Sequence, residues 1–507
     1  MVTVPDLVLA PIIAVYVAIL ALLFAYSLNF LYLTWRALRH PTADDPAPVP
    51  ATWPVVTVQL PVYNEVYVIE RLIDACVRLD YPAGALEIQV LDDSTDETAD
   101  LVAALVAHWH RLGIDIRHIH RDRRTGFKAG ALAAGLASAR GSLVAILDAD
   151  FVPPPDFLRT GVARLVADPG LAFVQARWGH TNRDDSLLTS LQALTVDGHF
   201  AVEQHARAVS GYWFNFNGTA GIWRREAIVD AGGWRDDTLT EDLDMSYRAL
   251  LRGWRAAYLD ELVVPGELPV SINAYRRQQH RWARGSFECS FSHLPTIWRS
   301  TASLPMKAEA TMHLTGYSVH LLMLGLALLY PLVLFAALRS PLVVSLAGGL
   351  GLIALMLPVP GILAAAWQER VGRSWVRAIP RIAMLSVLGA GMMVNTTRAA
   401  WHAVKTAPAI FERTPKFGPR DGGEDWRRMR YQVAIDRIVV VELALAALNA
   451  VSAWAAVRQG LWPIAVYGAI FAAGLTYVST LTIAQSMRSA LASRGRREAP
   501  VSASRGG

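Results

Sequence analysis

Long apolar runs lie at both ends of the chain and frame a middle region in which polar and apolar residues mix. The first run covers residues 7–35 without a formal charge, which is long enough to cross a bilayer with some tilt. Four further runs of membrane length follow the middle region, at 314–338, 342–367, 438–457 and 461–487. The pattern therefore predicts five transmembrane helices, one before the middle region and four after it.

Residues 382–397 form a sixth apolar segment of 16 uncharged residues, slightly shorter than the roughly 17–25 that cross a bilayer. If this segment crossed, residues 398–437, with nine Lys and Arg, would lie outside. Because basic loops collect on the cytoplasmic side, we predict instead an in-plane helix near 379–400. Arg36 and Arg39 directly follow the first run. We therefore expect an outside N-terminus, a cytoplasmic middle region, and location in a plasma or inner membrane.

Between residues 41 and 300, short β-branched or aliphatic runs alternate with stretches of helical periodicity. The strand-like runs are 55–62, 88–91, 144–147 and 171–174, and the helix-like stretches are 65–79, 96–112 and 128–139. This alternation predicts an α/β domain with a mainly parallel sheet covered on both faces. Ligands of such sheets bind beyond the carboxyl ends of the strands. We therefore divide the chain into an N-terminal helix (1–40), this domain (41–300) and a C-terminal apolar region (301–507).

Composition supports a membrane protein and excludes several other classes. Of the 507 residues, 53% are hydrophobic and 18% are charged, whereas average soluble proteins are about a quarter charged. The net charge is only +5 and the arginines lie mainly beside apolar runs, so we expect no nucleic-acid partner. Two cysteines, Cys76 and Cys289, support neither a disulfide framework nor a zinc site. Glu442 lies inside an apolar run and is expected to face protein or a polar conduit rather than lipid.

Acidic residues follow two of the predicted strands directly. Asp92 and Asp93 end one strand, and Asp148 and Asp150 end another. Carboxylates at a strand end supply the hard oxygen ligands that Mg²⁺ or Mn²⁺ prefers, and such an ion can bridge two phosphates. A purely structural strand terminus would account for the same residues. The acidic pairs at 44–45, 184–185 and 236–237 have polar, loop-like surroundings and are interpreted as solvated surface.

The string QQHRW (278–282) stands just ahead of the second group of apolar runs. The guanidinium of Arg281 can clamp a diphosphate, and the indole of Trp282 offers a flat apolar face on which a sugar ring can stack. The alternative is an interfacial anchor, because Trp and Arg collect at membrane edges. The acidic strand ends upstream favour the first interpretation.

With these features established, the middle region resembles a membrane-embedded family 2 glycosyltransferase with the GT-A fold. It is most similar to the cellulose synthase and cellulose synthase-like A (glucomannan/mannan synthase) group. The matching strings, in order, are QLPVYNE (59–65), LDDSTDET (91–98), FKAGAL (127–132), LDADF (147–151), FNGTAGIWRREAI (216–228), GGW (232–234), TEDLDMSYRA (240–249) and AYRRQQHRWARG (274–285). The apolar runs resemble the family only in their layout.

The resemblance implies a role for each residue that falls on a family motif. It implies nucleotide-sugar binding for Asp92, Asp93, Lys128, Asp148, Gln278 and Arg281, metal binding for Asp148 and Asp150, and acceptor binding for Trp282, Asn217, Gly218 and Thr219. Asp242 resembles the catalytic base, with Glu241 beside it. Ordinary structure offers alternatives: the Glu241-Asp242 pair can charge the first turn of a helix, Lys128 can be a surface residue, and Asn217-Gly218 is a common turn dipeptide.

A second resemblance lies in residues 411–418, FERTPKFG, inside a segment at 408–420. It is similar to the gating loop of processive synthases, written Phe-x-Val-Thr-x-Lys. Thr414 and Lys416 match this pattern, whereas Arg413 stands at the valine position. A basic juxtamembrane loop that contacts anionic lipid headgroups is the alternative.

The resemblance implies an inverting transfer by single displacement, with Mg²⁺ or Mn²⁺ as cofactor. One carboxylate deprotonates the acceptor hydroxyl, while the ion and Arg281 neutralise the departing diphosphate. We expect GDP-mannose or UDP-glucose as donor and a β-1,4-mannan, glucomannan or glucan as product, with synthesis coupled to translocation across the bilayer. A non-processive enzyme that glycosylates a membrane lipid is the alternative. A transporter is disfavoured because Glu442 is nearly alone as an ionisable residue within the runs, and the question of an accessory subunit stays open.

Overall fold

The computed structural model describes residues 6–40, 47–337, 341–368, 379–405, 413–418 and 436–498. Helix α1 (Asp6–Arg39) comes first, a seven-stranded α/β region follows, and apolar helices complete the described chain. The predicted segment 408–420 is described only at 413–418, and its remaining residues lie outside the described ranges.

The sheet is mixed but mainly parallel. Its strands are β1 (Val56–Val62), β2 (Leu86–Asp92), β3 (Ile116–His120), β4 (Leu143–Ile146), β5 (Leu171–His180), β6 (Gly221–Arg224) and β7 (Arg255–Gly266). They are ordered β3-β2-β1-β4-β6-β5-β7. Strand β6 runs antiparallel to β4 and β5, and the other described pairs are parallel. The prediction of a mainly parallel sheet is confirmed.

The four strands predicted from apolar runs are present as β1, β2, β4 and β5. Strands β3, β6 and β7 were not predicted. The sequence of β3, IRHIH, carries three basic or imidazole side chains, and β6 has only four residues, one of them glycine. Acidic residues interrupt the apolar positions of β7, RAAYLDELVVPG. Each of these strands lacks the continuous apolar run on which the prediction depended.

Helices cover both faces of the sheet, as predicted. Those of the α/β region are α2 (Ile69–Val77), α3 (Thr98–Arg111), α4 (Phe127–Ser138), α5 (Phe157–Ala167), α6 (Leu187–Gly198), α7 (His205–Val209), α8 (Arg225–Asp230), α9 (Glu241–Leu251) and α10 (Ile272–Arg299). Alternate side chains of β4 enter two separate cores, because successive strand residues face opposite ways. One core contains residues of α2, α3 and α5, and the other contains residues of α4, α8 and α9.

The described chain from α11 onward is helical and strongly apolar. Its helices are α11 (Leu304–Leu314), α12 (Ser318–Ala337), α13 (Pro341–Met356), α14 (Val359–Gln368), α15 (Ile379–Gly391), α16 (Met393–Val404), α17 (Val439–Arg458) and α18 (Trp462–Glu498). Among the described residues, four helices are long and apolar enough to cross a membrane: Ala10–Arg39, Ser318–Ala336, Val439–Arg458 and Trp462–Arg488. They coincide with four of the five predicted runs.

The predicted span at 342–367 and the predicted in-plane helix are the two segments that form broken helices. Residues 342–367 extend over α13 and α14, which divide at 357–358, where Pro358 and Pro360 interrupt regular helical hydrogen bonding. Helices α15 and α16 meet at 44°, and together they are long and apolar enough to form one bent span. The described chain thus contains four candidate spans, or five if this pair is one. Both the 342–367 span and the in-plane helix stay predictions.

Polar contacts tie α10 to the apolar helices. The guanidinium of Arg276 donates to both carboxylate oxygens of Glu442 on α17, at 2.7 and 3.1 Å. Ser479 of α18 donates to Glu442 at 2.9 Å, and the amide of Asn395 on α16 donates to the backbone oxygen of Arg276 at 2.9 Å. Glu442 is 0% exposed. It faces protein, as its position inside an apolar run predicted.

Candidate active site

A cavity of about 560 Å³ opens beyond the carboxyl ends of β1, β2 and β4, between the sheet and α10. Most residues with a predicted role line it, and Asp93, Asp148 and Asp150 do so because parallel strands deliver their terminal residues to one edge of the sheet. They are Asp93, Lys128, Asp148, Asp150, Asn217, Gly218, Glu241, Asp242, Gln278, Arg281, Trp282, Thr414 and Lys416. Asp92 and Thr219 are not among the lining residues. Thr219 is 1% exposed, and its hydroxyl accepts the backbone N–H of Asp148 at 2.8 Å.

Lys128 lies at the centre of one side of the cavity. Its ammonium contacts Asp148 Oδ1 at 2.5 Å, the backbone oxygen of Gly218 at 2.8 Å and Glu241 Oε1 at 3.7 Å. Burial would lower the pKa of Lys128, but Asp148 and Glu241 raise it above its usual value. Lys128 is therefore a cation enclosed by carboxylates rather than a surface residue of α4.

Residues 413–418 enter the cavity from a distant part of the chain. Lys416 Nζ lies 2.5 Å from Asp150 Oδ2 and also donates to the backbone oxygen of Glu267. The carboxylate of Glu267 accepts the backbone N–H groups of Phe417 and Gly418, each at 2.8 Å. Arg413 pairs with Glu65 at 2.8 Å. These contacts hold residues 413–418 against the sheet edge.

Asp242 lies in the first turn of α9, next to Glu241, which begins the helix. Both side chains also line the cavity, so the helix-turn alternative and a functional position are compatible. Burial and the neighbouring Glu241 raise the pKa of Asp242 to about 7, against the opposing charges of Lys128 and Arg281. A carboxylate with a pKa near 7 can accept a proton close to neutral pH.

Gln278, Arg281 and Trp282 share one face of α10, because residues three and four apart are neighbours on a helix. All three line the cavity. The indole ring of Trp282 lies 6.5 Å from that of Trp178, centroid to centroid. Arg281 is close enough to Asp242 to oppose the rise of its pKa. Arg281 and Trp282 thus face the cavity, whereas the side chains of a membrane anchor would face outward.

A π-helical turn at His199–Gln204 supplies further lining residues that sequence analysis missed. Asn217 binds two residues of this turn, with its Nδ2 3.1 Å from His199 Nε2 and its Oδ1 accepting from Gln204 at 3.1 Å. Glu203 lies 3.1 Å from His199 Nδ1 and also lines the cavity. The i→i+5 bonds that orient these side chains leave no signature in the sequence. Sequence analysis also missed Glu65, although this residue does have a sequence signature, since it closes the string QLPVYNE.

Asp92 and Asp93 take different positions, although they were predicted together. Asp93 lines the cavity, and both of its carboxylate oxygens bind Arg121, at 2.6 and 2.7 Å. Asp92 is 0% exposed beneath it. Burial alone would raise the pKa of Asp92, but hydrogen bonds from His118, Ser94 and His120 lower it to about 2. Only Asp93 is positioned to reach a ligand in the cavity.

Comparison with known proteins identifies relatives for the α/β region. The family model described as "Glycosyltransferase like family 2" matches residues 54–285. Glucomannan 4-beta-mannosyltransferase 2 of Arabidopsis thaliana is 47% identical over 250 residues, which cover 48% of this chain and 47% of that protein. Glucomannan 4-beta-mannosyltransferase 9 of the same plant is 39% identical over 334 residues, or 62% of this chain and 63% of that protein. The chain spans less than two thirds of the length of each of these two relatives.

A solved structure shares the fold. It is the mannosyltransferase PcManGT from Pyrobaculum calidifontis in complex with GDP-Man and Mn²⁺, with a TM-score of 0.50 and 23% identity. The match covers 78% of this chain and 100% of that one. The similarity supports the α/β architecture expected from the sequence.

Proposed function

We propose that the chain is a family 2 glycosyltransferase with a GT-A fold, to which the match over residues 54–285 and the shared fold point, and that it extends a β-linked polysaccharide at a membrane. The proposed donor is a nucleotide-sugar, with GDP-mannose ahead of UDP-glucose, and the proposed product is a β-1,4-mannan or glucomannan. Two similarities support the choice of mannose. The two relatives above are named glucomannan 4-beta-mannosyltransferases, and the solved neighbour is a mannosyltransferase with GDP-Man.

One observation carries this proposal: Asp242, a half-buried carboxylate whose pKa is raised to about 7, shares a cavity with the cations Lys128 and Arg281. In the proposed reaction, Asp242 takes the proton of an acceptor hydroxyl as that oxygen attacks the anomeric carbon. The bond between the anomeric carbon and the diphosphate oxygen breaks in the same step. Arg281 and Lys128 offset the charge that develops on the departing nucleoside diphosphate. A single displacement inverts the anomeric configuration, so an α-linked donor yields a β-linkage.

Asp148 and Asp150 are the proposed holders of a divalent ion. Lys128 binds Oδ1 of Asp148 and Lys416 binds Oδ2 of Asp150, which leaves a second oxygen on each carboxylate as a hard ligand. This donor set fits Mg²⁺ or Mn²⁺. When bound, such an ion supplies neutralising charge to the donor's diphosphate.

The cavity also reaches α12, which is apolar enough to span a membrane, and the helix α11 that precedes it. Met312 and His313 of α11 and His320 of α12 line its far end. This continuity supports a path for a growing chain that begins at Trp282, with the α/β region on the cytoplasmic side as the distribution of basic residues predicts. A membrane lipid as acceptor is the alternative that the same opening would serve. A transport function is disfavoured, because Glu442 is occupied by Arg276.

Replacement of Glu241 by Gln is expected to move the acidic limb of the pH–rate profile to lower pH. Asp242 acts as a base only when ionised, so the rate rises as pH passes through its pKa of about 7. The carboxylate of Glu241 helps to hold that pKa high, and a neutral amide removes this contribution. The profile of kcat/KM against pH for both proteins measures the shift. Glu226→Gln, at an exposed position on α8, serves as the matched control, and an unmoved or upward-shifted limb for Glu241→Gln contradicts the assignment.

The function is tested by incubating the purified chain with Mn²⁺ or Mg²⁺ and a panel of labelled nucleotide-sugars. We expect a long product from GDP-mannose that a β-1,4-mannanase degrades. A single sugar on an extractable lipid would overturn the polymer proposal but retain the transferase. Absence of transfer from every donor would overturn both.

A further inference from the structure

Three potential metal ligands meet on one face of the sheet, outside the cavity. They are Asp92 at the end of β2 and His118 and His120 on β3. Asp92 stands beside His120 in the strand register. His118 lies two residues earlier, so its side chain points to the same face. The sheet therefore places one carboxylate and two imidazoles together.

The distances between these groups match those between ligands of one metal ion. Asp92 Oδ2 lies 2.9 Å from His118 Nε2 and 3.1 Å from His120 Nδ1. An ion about 2.1 Å from two ligand atoms at right angles sets those atoms about 3.0 Å apart. The three ligand atoms all lie within 4.8 Å of one another. Only small movements are needed for all three to coordinate the same ion.

The chemistry and the access of the cluster also suit a metal. Two imidazoles with one carboxylate favour borderline ions such as Zn²⁺, Co²⁺ or Ni²⁺ over Mg²⁺, which prefers oxygen ligands alone. The side chains of His118 and His120 are 20% and 39% exposed, whereas Asp92 is fully buried. Because β3 is the edge strand of the sheet, an ion can enter from solvent and keep water at its open positions.

The cluster adjoins the wall of the cavity. Asp93 follows Asp92 in the chain, and Arg121 follows His120. These two neighbours form an ion pair, and Asp93 of that pair lines the cavity. An ion that joins the ends of β2 and β3 would hold this pair in place from behind.

We propose that Asp92, His118 and His120 form a second divalent-metal site, selective for a borderline transition ion and distinct from the Asp148–Asp150 position. Its role is structural: it fixes the β2–β3 corner that carries Asp93 and Arg121. A plain hydrogen-bonded cluster, in which two imidazoles satisfy a buried carboxylate, is the competing account. The two accounts differ in whether the purified protein takes up such an ion.

The test uses the full chain without an affinity tag, purified in detergent and stripped by a chelator. Co²⁺ is added in the presence of excess Mg²⁺, which fills hard-oxygen positions, and visible absorption reports coordination by nitrogen. We expect one Co²⁺ per chain and a rise in the thermal unfolding temperature. His120→Gln keeps an N–H for Asp92 but loses the imidazole, so Co²⁺ affinity should fall at least about tenfold while the metal-free protein unfolds as before.

The control is His110→Ala, which removes an exposed histidine at the end of α3. It should leave Co²⁺ binding unchanged. Equal loss in both variants would show adventitious binding to surface histidines and overturn the proposal. Displacement of Co²⁺ by Mg²⁺, or unaltered affinity in His120→Gln, would overturn it as well. None of these measurements requires sugar transfer, so they are independent of the proposed function.

Discussion

Asp242→Asn is expected to reduce sugar transfer by about 10²–10⁴-fold, the usual contribution of a general base, while nucleotide-sugar binding is retained. The amide has almost the same shape as the carboxylate but cannot accept the proton of the acceptor hydroxyl. Binding should survive because the groups proposed to hold the donor, Lys128 and Arg281, are unchanged. The substitution also removes negative charge near these two cations, since one carboxylate is lost.

Single-turnover transfer and equilibrium binding of the labelled donor separate these two effects. Asp237→Asn is the matched control, because Asp237 is exposed and does not line the cavity. It should leave both quantities at their wild-type values. If Asp242→Asn lost binding and transfer to the same extent, Asp242 would have to be reassigned to donor binding. Retained transfer would exclude it as the base.

Glu442→Gln is expected to lower the free energy of unfolding by about 3–5 kcal/mol, the typical cost of removing one partner of a buried ion pair. Arg276 is 3% exposed and would keep its charge in a buried position without the carboxylate that now pairs with it. The effect should extend to the active site, because Arg276 belongs to the same helix, α10, as Gln278, Arg281 and Trp282. Denaturant unfolding of the detergent-solubilised chain measures the loss.

Two further variants make this prediction specific. Asp74→Asn breaks the Arg78–Asp74 pair, whose side chains are 70% and 35% exposed, and should cost no more than about 0.5 kcal/mol. The double variant Arg276→Met/Glu442→Leu removes both buried charges and should recover most of the stability lost in Glu442→Gln. A double variant as unstable as the single one would mean that α10 depends on the pair itself rather than on charge balance.

The main elements of the α/β region were readable from the sequence. Aliphatic runs identified β1, β2, β4 and β5, and helical periodicity identified α2, α3 and α4, because these elements bury apolar faces at regular spacing. Strand β3 was not predicted because histidines occupy the positions where an interior strand would carry apolar residues. The break in the helix at 342–367 was not predicted either, since hydropathy averages over Pro358 and Pro360.

The sequence by itself determined the resemblance to family 2 glycosyltransferases, the membrane-length runs and thirteen of the residues that line the cavity, because these follow from local strings and local periodicity. Only the tertiary structure decided how those residues pair. Lys416 meets Asp150 across 266 positions of sequence, and Arg413 meets Glu65 across a still longer separation. The tertiary structure also separated Asp92, buried beneath two histidines, from Asp93, which faces the cavity. Such contacts depend on the path of the whole chain, since burial and ion pairing are set by groups brought together in space.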